Sequence, residues 1–571
     1  MRPAAEYRPE IDGLRAVAVL AVFVFHLNRR WLPGGFFGVD IFFVISGYLI
    51  TSLILRDCEA GRFRFARFYQ RRIARLLPAF AAAGLATIAG AALIYSPQDL
   101  ASAGATLAAA AASVANFKFL LQGNYFRLSP DAQPFLHCWS LSVEEQFYLL
   151  FPALLLLSRR RRVLAGLAVV SLGCYFVFRP EWAFYLLPAR AWELLAGAVM
   201  ARANRTIPRR HGAGTPLFLG LIAVSFVSGR FAILPVIGTA CLLAGGARAL
   251  SWKPLVVIGR MSYSLYLWHW PIFSLVDYAC YWQSAAIRLA LKVTLSVGAA
   301  AACFIFIERP GRVFLNAPAR PRAAFAALAC SLAVLIPLGI VIRNANYVNA
   351  DPRAIRAGGL RFNSGGRSGS MVLMGDSNGS MYGKLAREIA RERDLRLNVI
   401  SVEAGDPLPR STGRNQPLWS DSLAVVRRER PDFLLLVCNW NKLTDDRRRL
   451  TVALRELKPF ARNILLITQP PVLPENATRE GIREGNRPPF HEDAAERTAR
   501  VARNELVKSA EGAGVRVVDI EPLFTSGTGE IRFADERRTL LYQDRDHLSA
   551  AGAELVKPEL VRAMNGLTAS R

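Results

Sequence analysis

Met371-Val372-Leu373-Met374-Gly375-Asp376-Ser377-Asn378 is the stretch that decides how the carboxyl-terminal part of this chain folds. Four apolar residues closed by a glycine and a polar triplet predict a buried strand, ending in a turn that exposes a serine hydroxyl. Far downstream, Asp544-Arg545-Asp546-His547 sets an aspartate three residues before a histidine, a spacing that lets a carboxylate orient an imidazole as a base. Gly-Asp-Ser alone is common in ordinary turns. The order of the two segments, serine early and Asp-x-x-His near the carboxyl end, is far more specific. Between them, β-like apolar runs at 395–402, 433–438, 464–468 and 515–520 alternate with helical segments. That alternation predicts an α/β domain of about 200 residues built on a parallel sheet. Ligands of such sheets gather beyond the carboxyl ends of the strands. Ser377, Gly405, Asn439 and the His547 loop are all expected there.

Upstream the composition changes. The chain has 571 residues, 52% of them hydrophobic, with a mean hydropathy of +0.24, which points to a membrane protein. Apolar stretches of about 17 to 25 residues, enough to cross a bilayer, fall near 12–28, 36–55, 77–95, 136–157, 163–179, 184–201, 215–229, 231–248, 260–281, 286–307 and 323–342. The first contains Arg15 and no small-residue cleavage site follows it, so it reads as a retained span. A twelfth run, 101–121, is rich in alanine. The eight cysteines show no disulfide framework and no zinc spacing, so no metal is expected.

The net charge of +27 raises the possibility of nucleic acid binding, but the arginines lie mostly between apolar segments. They cluster at Arg62, Arg64, Arg67, Arg71, Arg72 and Arg75, at Arg159 to Arg162, at Arg202, Arg205, Arg209 and Arg210, at Arg248 and Lys253, and at Arg309, Arg312, Arg320 and Arg322. Basic loops face the cytoplasm. For the first two clusters to share a side, 101–121 must be a re-entrant or surface helix. Eleven spans with a cytoplasmic amino terminus then put everything after about residue 343 outside the cytoplasmic membrane, in a periplasm or cell exterior. Nucleic acid is excluded as a partner; the bilayer is one.

Ionisable residues within spans are costly and mark candidate sites. Arg15 and His26 are eleven residues apart, about three turns along one helical face. Asp40, Glu144, Glu193 and His269 are further candidates, with an internal ion-pair network as the alternative for Glu193 and His269. Arg15 with His26, the run Gly34-Gly35-Phe36-Phe37-Gly38-Val39-Asp40-Ile41-Phe42-Phe43-Val44-Ile45-Ser46-Gly47-Tyr48-Leu49-Ile50, the segments 68–78 and 139–148, and Ser262-Tyr263-Ser264-Leu265-Tyr266-Leu267-Trp268-His269 closely resemble the integral-membrane acyltransferase-3 family. The resemblance covers residues 7 to about 315. It implies transfer of an acyl group, usually acetyl, from cytoplasmic acyl-CoA to a hydroxyl of an extracytoplasmic glycan, with His26 as the catalytic histidine and Arg15 as its paired arginine. Arg71, Arg72 and Arg75 at the cytoplasmic mouth suit the phosphates of CoA. His26 would act as base or as acyl carrier.

The outer segments resemble the SGNH hydrolase and transferase family, whose members are three-layer α/β domains. That likeness implies Ser377 as nucleophile, His547 with Asp544 as its base and orienting acid, and Gly405 and Asn439 as oxyanion donors. Asn378 stands where fused members often carry histidine, and Asn439 departs from the commoner Gly-x-Asn-Asp pattern. The expected organisation is a membrane domain over 1–320, a final transmembrane helix over 321–345, a linker over 346–370 and the SGNH-like domain over 371–571. The expected activity is O-acyl transfer, most simply O-acetyl transfer, to a surface or periplasmic polysaccharide such as O-antigen or to a lipid-linked glycan, in a bacterial inner membrane. Acetyl-CoA serves as donor substrate and no cofactor is permanently bound. A glycan O-acyl esterase and a flippase for lipid-linked sugar are the alternatives.

Overall fold

The computed structural model describes residues 7–122, 130–158, 160–203, 214–346, 348–410, 416–442 and 447–569. Arg159, Arg205, Arg209 and Arg210 of the basic clusters lie outside them. The chain divides into two compact units, Met1–Tyr95 with Ser102–Arg343, and Ser96–Ala101 with Asn344–Arg571.

The first unit is helical. Among the described residues five helices are long and apolar enough to cross a membrane, Gly35–Glu59, Phe65–Ile94, Cys138–Leu157, Ala285–Leu315 and Pro321–Asn346, and Thr215–Ser228 and Ile233–Gly245 are shorter apolar helices. The first helix, Pro9–Leu27, begins with proline in its first turn together with Glu10 and Asp12, and ends at the extended residue Asn28. Proline lacks an amide hydrogen that this position would leave unpaired anyway, and acidic side chains complement the positive end of the helix. Leu14, Ala18 and Ala21 of this helix join Ile41, Val44, Ile45, Trp192 and Ala201 in one apolar core. Helices Gly38–Glu59 and Leu187–Ala203 cross at glycines. A Cβ on Gly47 would lie 1.8 Å from the Leu194 carbonyl oxygen, and one on Gly197 would lie 2.0 Å from that of Val44. Small residues of this kind let backbones touch where there is no water to drive helices together. The 101–121 run is not one helix. Pro97–Ala111 and Ala115–Gln122 are separate, broken at Ser113, whose φ is +57°, a left-handed conformation that no α-helix can contain.

The second unit is an α/β domain. Its sheet comprises β1 (Leu360–Phe362), β2 (Ser370–Gly375), β3 (Arg396–Ser401), β4 (Phe433–Val437), β5 (Asn463–Ile467) and β6 (Val515–Val518), in the order β1-β3-β2-β4-β5-β6. Five strands run parallel, and β1 is antiparallel at the edge. The sheet is therefore mixed, and the 346–370 stretch expected as a linker supplies this edge strand and a short helix, Pro352–Arg356. All residues of β2, β4 and β5 are buried, because helices cover both faces. Val372, Met374, Leu434, Leu436, Ile464 and Leu466 pack under Val425, Val426, Leu450 and Leu454 on one side. Helices Gly383–Glu392 and Ala550–Ala569 lie against the sheet as well. The chain leaves β2 for β3 on one side and returns to β4 on the other, so the topological switch point falls at the carboxyl end of β2.

Candidate active site

Ser377 begins the short helix Ser377–Ser380 directly after β2, at that switch point. Asp376 holds the turn. Its side chain accepts from the Asn378 amide at 2.8 Å and from the Asn439 amide at 2.9 Å, and its carbonyl accepts from Ser401 Oγ at 2.9 Å. Gly379 lies so close to β3 that a Cβ there would stand 2.3 Å from Ser401 Oγ. The His547 loop is fastened to this turn. Leu548 donates its amide to Met381 Sδ at 3.2 Å, and Asn439 Nδ2 donates to Asp546 Oδ2 at 3.1 Å.

His547 Nδ1 lies 2.9 Å from both Asp544 carboxylate oxygens and 3.2 Å from Asp546 Oδ1. Carboxylates only accept, so Nδ1 carries a hydrogen and Nε2 is the ring nitrogen they leave unengaged. Nε2 is buried without a hydrogen-bond partner, and Ser377 is not bonded to it in this state. Burial lowers the imidazole pKa, but the hydrogen bonds and negative charge of Asp544 and Asp546 outweigh it and raise the pKa to about 10. The Asn439 backbone amide is spent on Asp376, and Nδ2 carries a second hydrogen beyond the one given to Asp546. The Gly405 amide donates to the Val402 carbonyl at 3.0 Å, so in this state it is committed to its own turn. Asn378 is buried, and both polar atoms of its side chain lack hydrogen-bond partners.

In the helical unit two cavities meet. Arg15, Arg72, Arg75, Ser46, Glu144, Tyr148, Val39 and Tyr266 are among the residues lining one, of about 70 Å³. His26, His137, Asp40, Trp139, Arg190, Val39 and Tyr266 help line the other, of about 350 Å³. Val39 and Tyr266 belong to both. In the first cavity Ser46 and Tyr148 donate to Glu144, Arg72 lies over the Tyr148 ring, and Arg15 Nη1 is 3.2 Å from Asp12 Oδ1. Guanidinium groups gathered around a cavity suit an anionic ligand. In the second, His26 Nδ1 lies 3.0 Å from His269 Nε2, and the His26 ring meets Trp270 edge to face. Arg190 pairs with Asp40 at 3.4 Å and Glu193 at 3.2 Å and lies over the rings of Phe43 and Trp139.

Residues 8–308 match the acyltransferase domain of the acyltransferase-3 type. The chain belongs to the acyltransferase-3 family. Residues 347–562 match the SGNH domain found fused to acyltransferase-3 domains. Among curated proteins the chain is similar to O-acetyltransferase OatA of Staphylococcus aureus strain MRSA252, 32% identical over an alignment of 383 residues, with 59% of this chain and 63% of that protein covered. OatA of S. aureus strain NCTC 8325 / PS 47 gives the same identity and coverage. The match thus spans less than two thirds of the length of these relatives.

Within this acyltransferase-3 chain the sequence-predicted residues fall into three groups. Arg15, Arg72, Arg75 and Glu144 share one cavity. Arg71 does not: it pairs with Asp57 at 2.8 Å. Asp40 and Glu193 gather around Arg190, and His26 and His269 meet directly. Three residues escaped the sequence reading. Arg190 precedes Glu193 by three positions, the spacing of one helical face, and that was its available signal. His137 sits two residues before the Trp139 segment and lines the His26 cavity, with its Nδ1 buried and unpartnered. Asp546, inside the Asp-x-x-His segment, touches both His547 and Asn439.

Proposed function

We propose that this chain is a two-stage O-acetyltransferase that carries an acetyl group from cytoplasmic acetyl-CoA across a bacterial inner membrane to a hydroxyl of a cell-surface or periplasmic polysaccharide. The observation that carries this reading is the wall of Val39 and Tyr266 common to the arginine-lined cavity and the His26 cavity. Arg15, Arg72 and Arg75 receive phosphate groups of the donor from the cytoplasmic side. The thioester reaches past Val39 and Tyr266 to His26, which acts on the acyl carbon or on the attacking hydroxyl. The basic loops keep the amino terminus in the cytoplasm, and the SGNH domain works on the opposite face.

In the second stage the acetyl group becomes an ester of Ser377. Ser377 forms its acyl C–O bond as the bond from the acyl carbon to its carrier breaks, the thioester C–S bond where His26 is a base and the acyl–Nε2 bond where His26 is the carrier. The serine proton goes to the departing sulfur or nitrogen. The glycan hydroxyl then attacks the Ser377 ester, its proton passes to Nε2 of His547 in its neutral form, and the Ser377–acyl bond breaks with return of that proton to the serine oxygen. The second Nδ2 hydrogen of Asn439 supports the oxyanion. S. aureus OatA, named as an O-acetyltransferase, supports acetyl as the group transferred.

The test is acetyl content of surface glycan in cells carrying His26→Ala or Ser377→Ala, with mass analysis of the Ser377 peptide. Both variants lose glycan acetylation, and His26→Ala also loses the acetyl mark on Ser377. Undiminished acetylation in both overturns the proposal.

A further inference from the structure

We infer that His269 fixes the tautomer of His26, holding the hydrogen on Nδ1 and leaving the Nε2 lone pair as the reacting atom of the membrane unit. The inference rests on the reading of His26 as the reacting group, and it is carried by hydrogen-bond roles that the backbone leaves no freedom to change.

His269 is fully buried on the helix Ser262–Ala279. Its Nδ1 lies 2.8 Å from the carbonyl oxygen of Tyr266 and 3.2 Å from that of Leu265. Carbonyl oxygens only accept, so Nδ1 of His269 carries the ring hydrogen and the neutral ring keeps a lone pair on Nε2. That Nε2 is the atom 3.0 Å from His26 Nδ1. The two ring planes are 16° from parallel and their centres 5.3 Å apart. With the nitrogens only 3.0 Å apart between those centres, the rings meet edge to edge rather than face to face, which is the geometry of an N–H···N hydrogen bond. An acceptor at Nε2 of His269 requires a donor at Nδ1 of His26. Neutral His26 therefore has one form here, with the hydrogen on Nδ1 and the lone pair on Nε2.

The arrangement also favours the charged form that chemistry creates. When Nε2 of His26 takes a proton or an acyl group, the ring becomes cationic and its Nδ1–H a stronger donor to His269. In many hydrolytic sites a carboxylate does this work. Among the described residues, no carboxylate is within hydrogen-bond or ion-pair distance of either ring. Asp40, on the wall of the same cavity, is held by Arg190. His269 is thus a positioning residue that acts through His26.

The test uses the full chain in lipid nanodiscs, with ring-¹⁵N histidine. The protein has six histidines, and the His26 resonances are those lost in His26→Asn. The expected spectrum shows Nδ1 protonated and Nε2 unprotonated for His26. In His269→Gln a side-chain carbonyl oxygen replaces the acceptor, so that tautomer persists and acetyl transfer from acetyl-CoA stays within about tenfold of the unmodified protein. In His269→Leu the acceptor is gone, the two tautomers mix, and kcat falls about 100-fold or more with little change in KM for acetyl-CoA. A His26 protonated at Nε2 in the unmodified protein overturns the inference, as does an unchanged tautomer in His269→Leu. If the unmodified protein transfers nothing from acetyl-CoA, the proposed function fails, and the nitrogen shifts still decide the tautomer.

Discussion

His547 keeps its second proton to about pH 10, because the pull of Asp544 and Asp546 exceeds the cost of burial. A doubly protonated imidazole is no base, so Ser377-dependent ester cleavage by the full chain should keep rising with pH towards about 10. Replacing Asp546 with asparagine removes one of the two negative charges and should move that limb to lower pH. The pH–rate profile of aryl acetate cleavage, with Ser377→Ala as blank, checks both; a plateau near neutrality in the unmodified protein refutes the first. The same shift has a sign for stability. A pKa raised from 6.5 on folding stabilises the domain fully below about pH 6.5, and that contribution is lost as the pH climbs through about 10. The serine was legible in the sequence because an apolar run followed by Gly-Asp-Ser is a local pattern. The contact of Asp546 with Asn439 joins positions 107 residues apart, and no local spacing reports that.

Between elements, the decisive crossing is that of Gly38–Glu59 with Leu187–Ala203, where glycine lets the backbones touch and Arg190 ties Asp40 to Glu193. Replacing Arg190 with leucine leaves two buried carboxylates without their guanidinium and should cost about 3–5 kcal/mol. The measurement is the thermal midpoint of the purified protein in detergent. An unchanged midpoint would mean that neither carboxylate depends on Arg190. Asp40 and Glu193 were visible in the sequence as charges inside apolar stretches. Arg190 was hidden because an arginine near the start of such a stretch looks like one more topogenic charge. The division of 101–121 into two helices was equally hidden, since an alanine-rich run carries helix propensity throughout and nothing in its composition marks Ser113 as the break.

At the scale of the whole chain, the excess of 27 positive charges makes a statement about orientation. In a background with all eight cysteines replaced by alanine, a cysteine at Arg64 should resist a membrane-impermeant thiol reagent until the inner membrane is opened. A cysteine at Arg391 should react in intact spheroplasts. The opposite pattern reverses the proposed sidedness. The α/β order of the second unit was readable because parallel strands buried on both faces leave unbroken apolar runs. The pairing of His26 with His269 was not, because the two lie 243 positions apart and only the folded helices bring them together. The wall of Val39 and Tyr266 has a last consequence. A bacterial membrane is an electrical insulator that stores an ion gradient, and an open duct from one face to the other would short-circuit it. On the proposed route, side chains shared by the two cavities would pass a small acyl group while the bulky nucleotide stays behind, so that the cell could decorate its exterior from an interior fuel and keep the membrane charged.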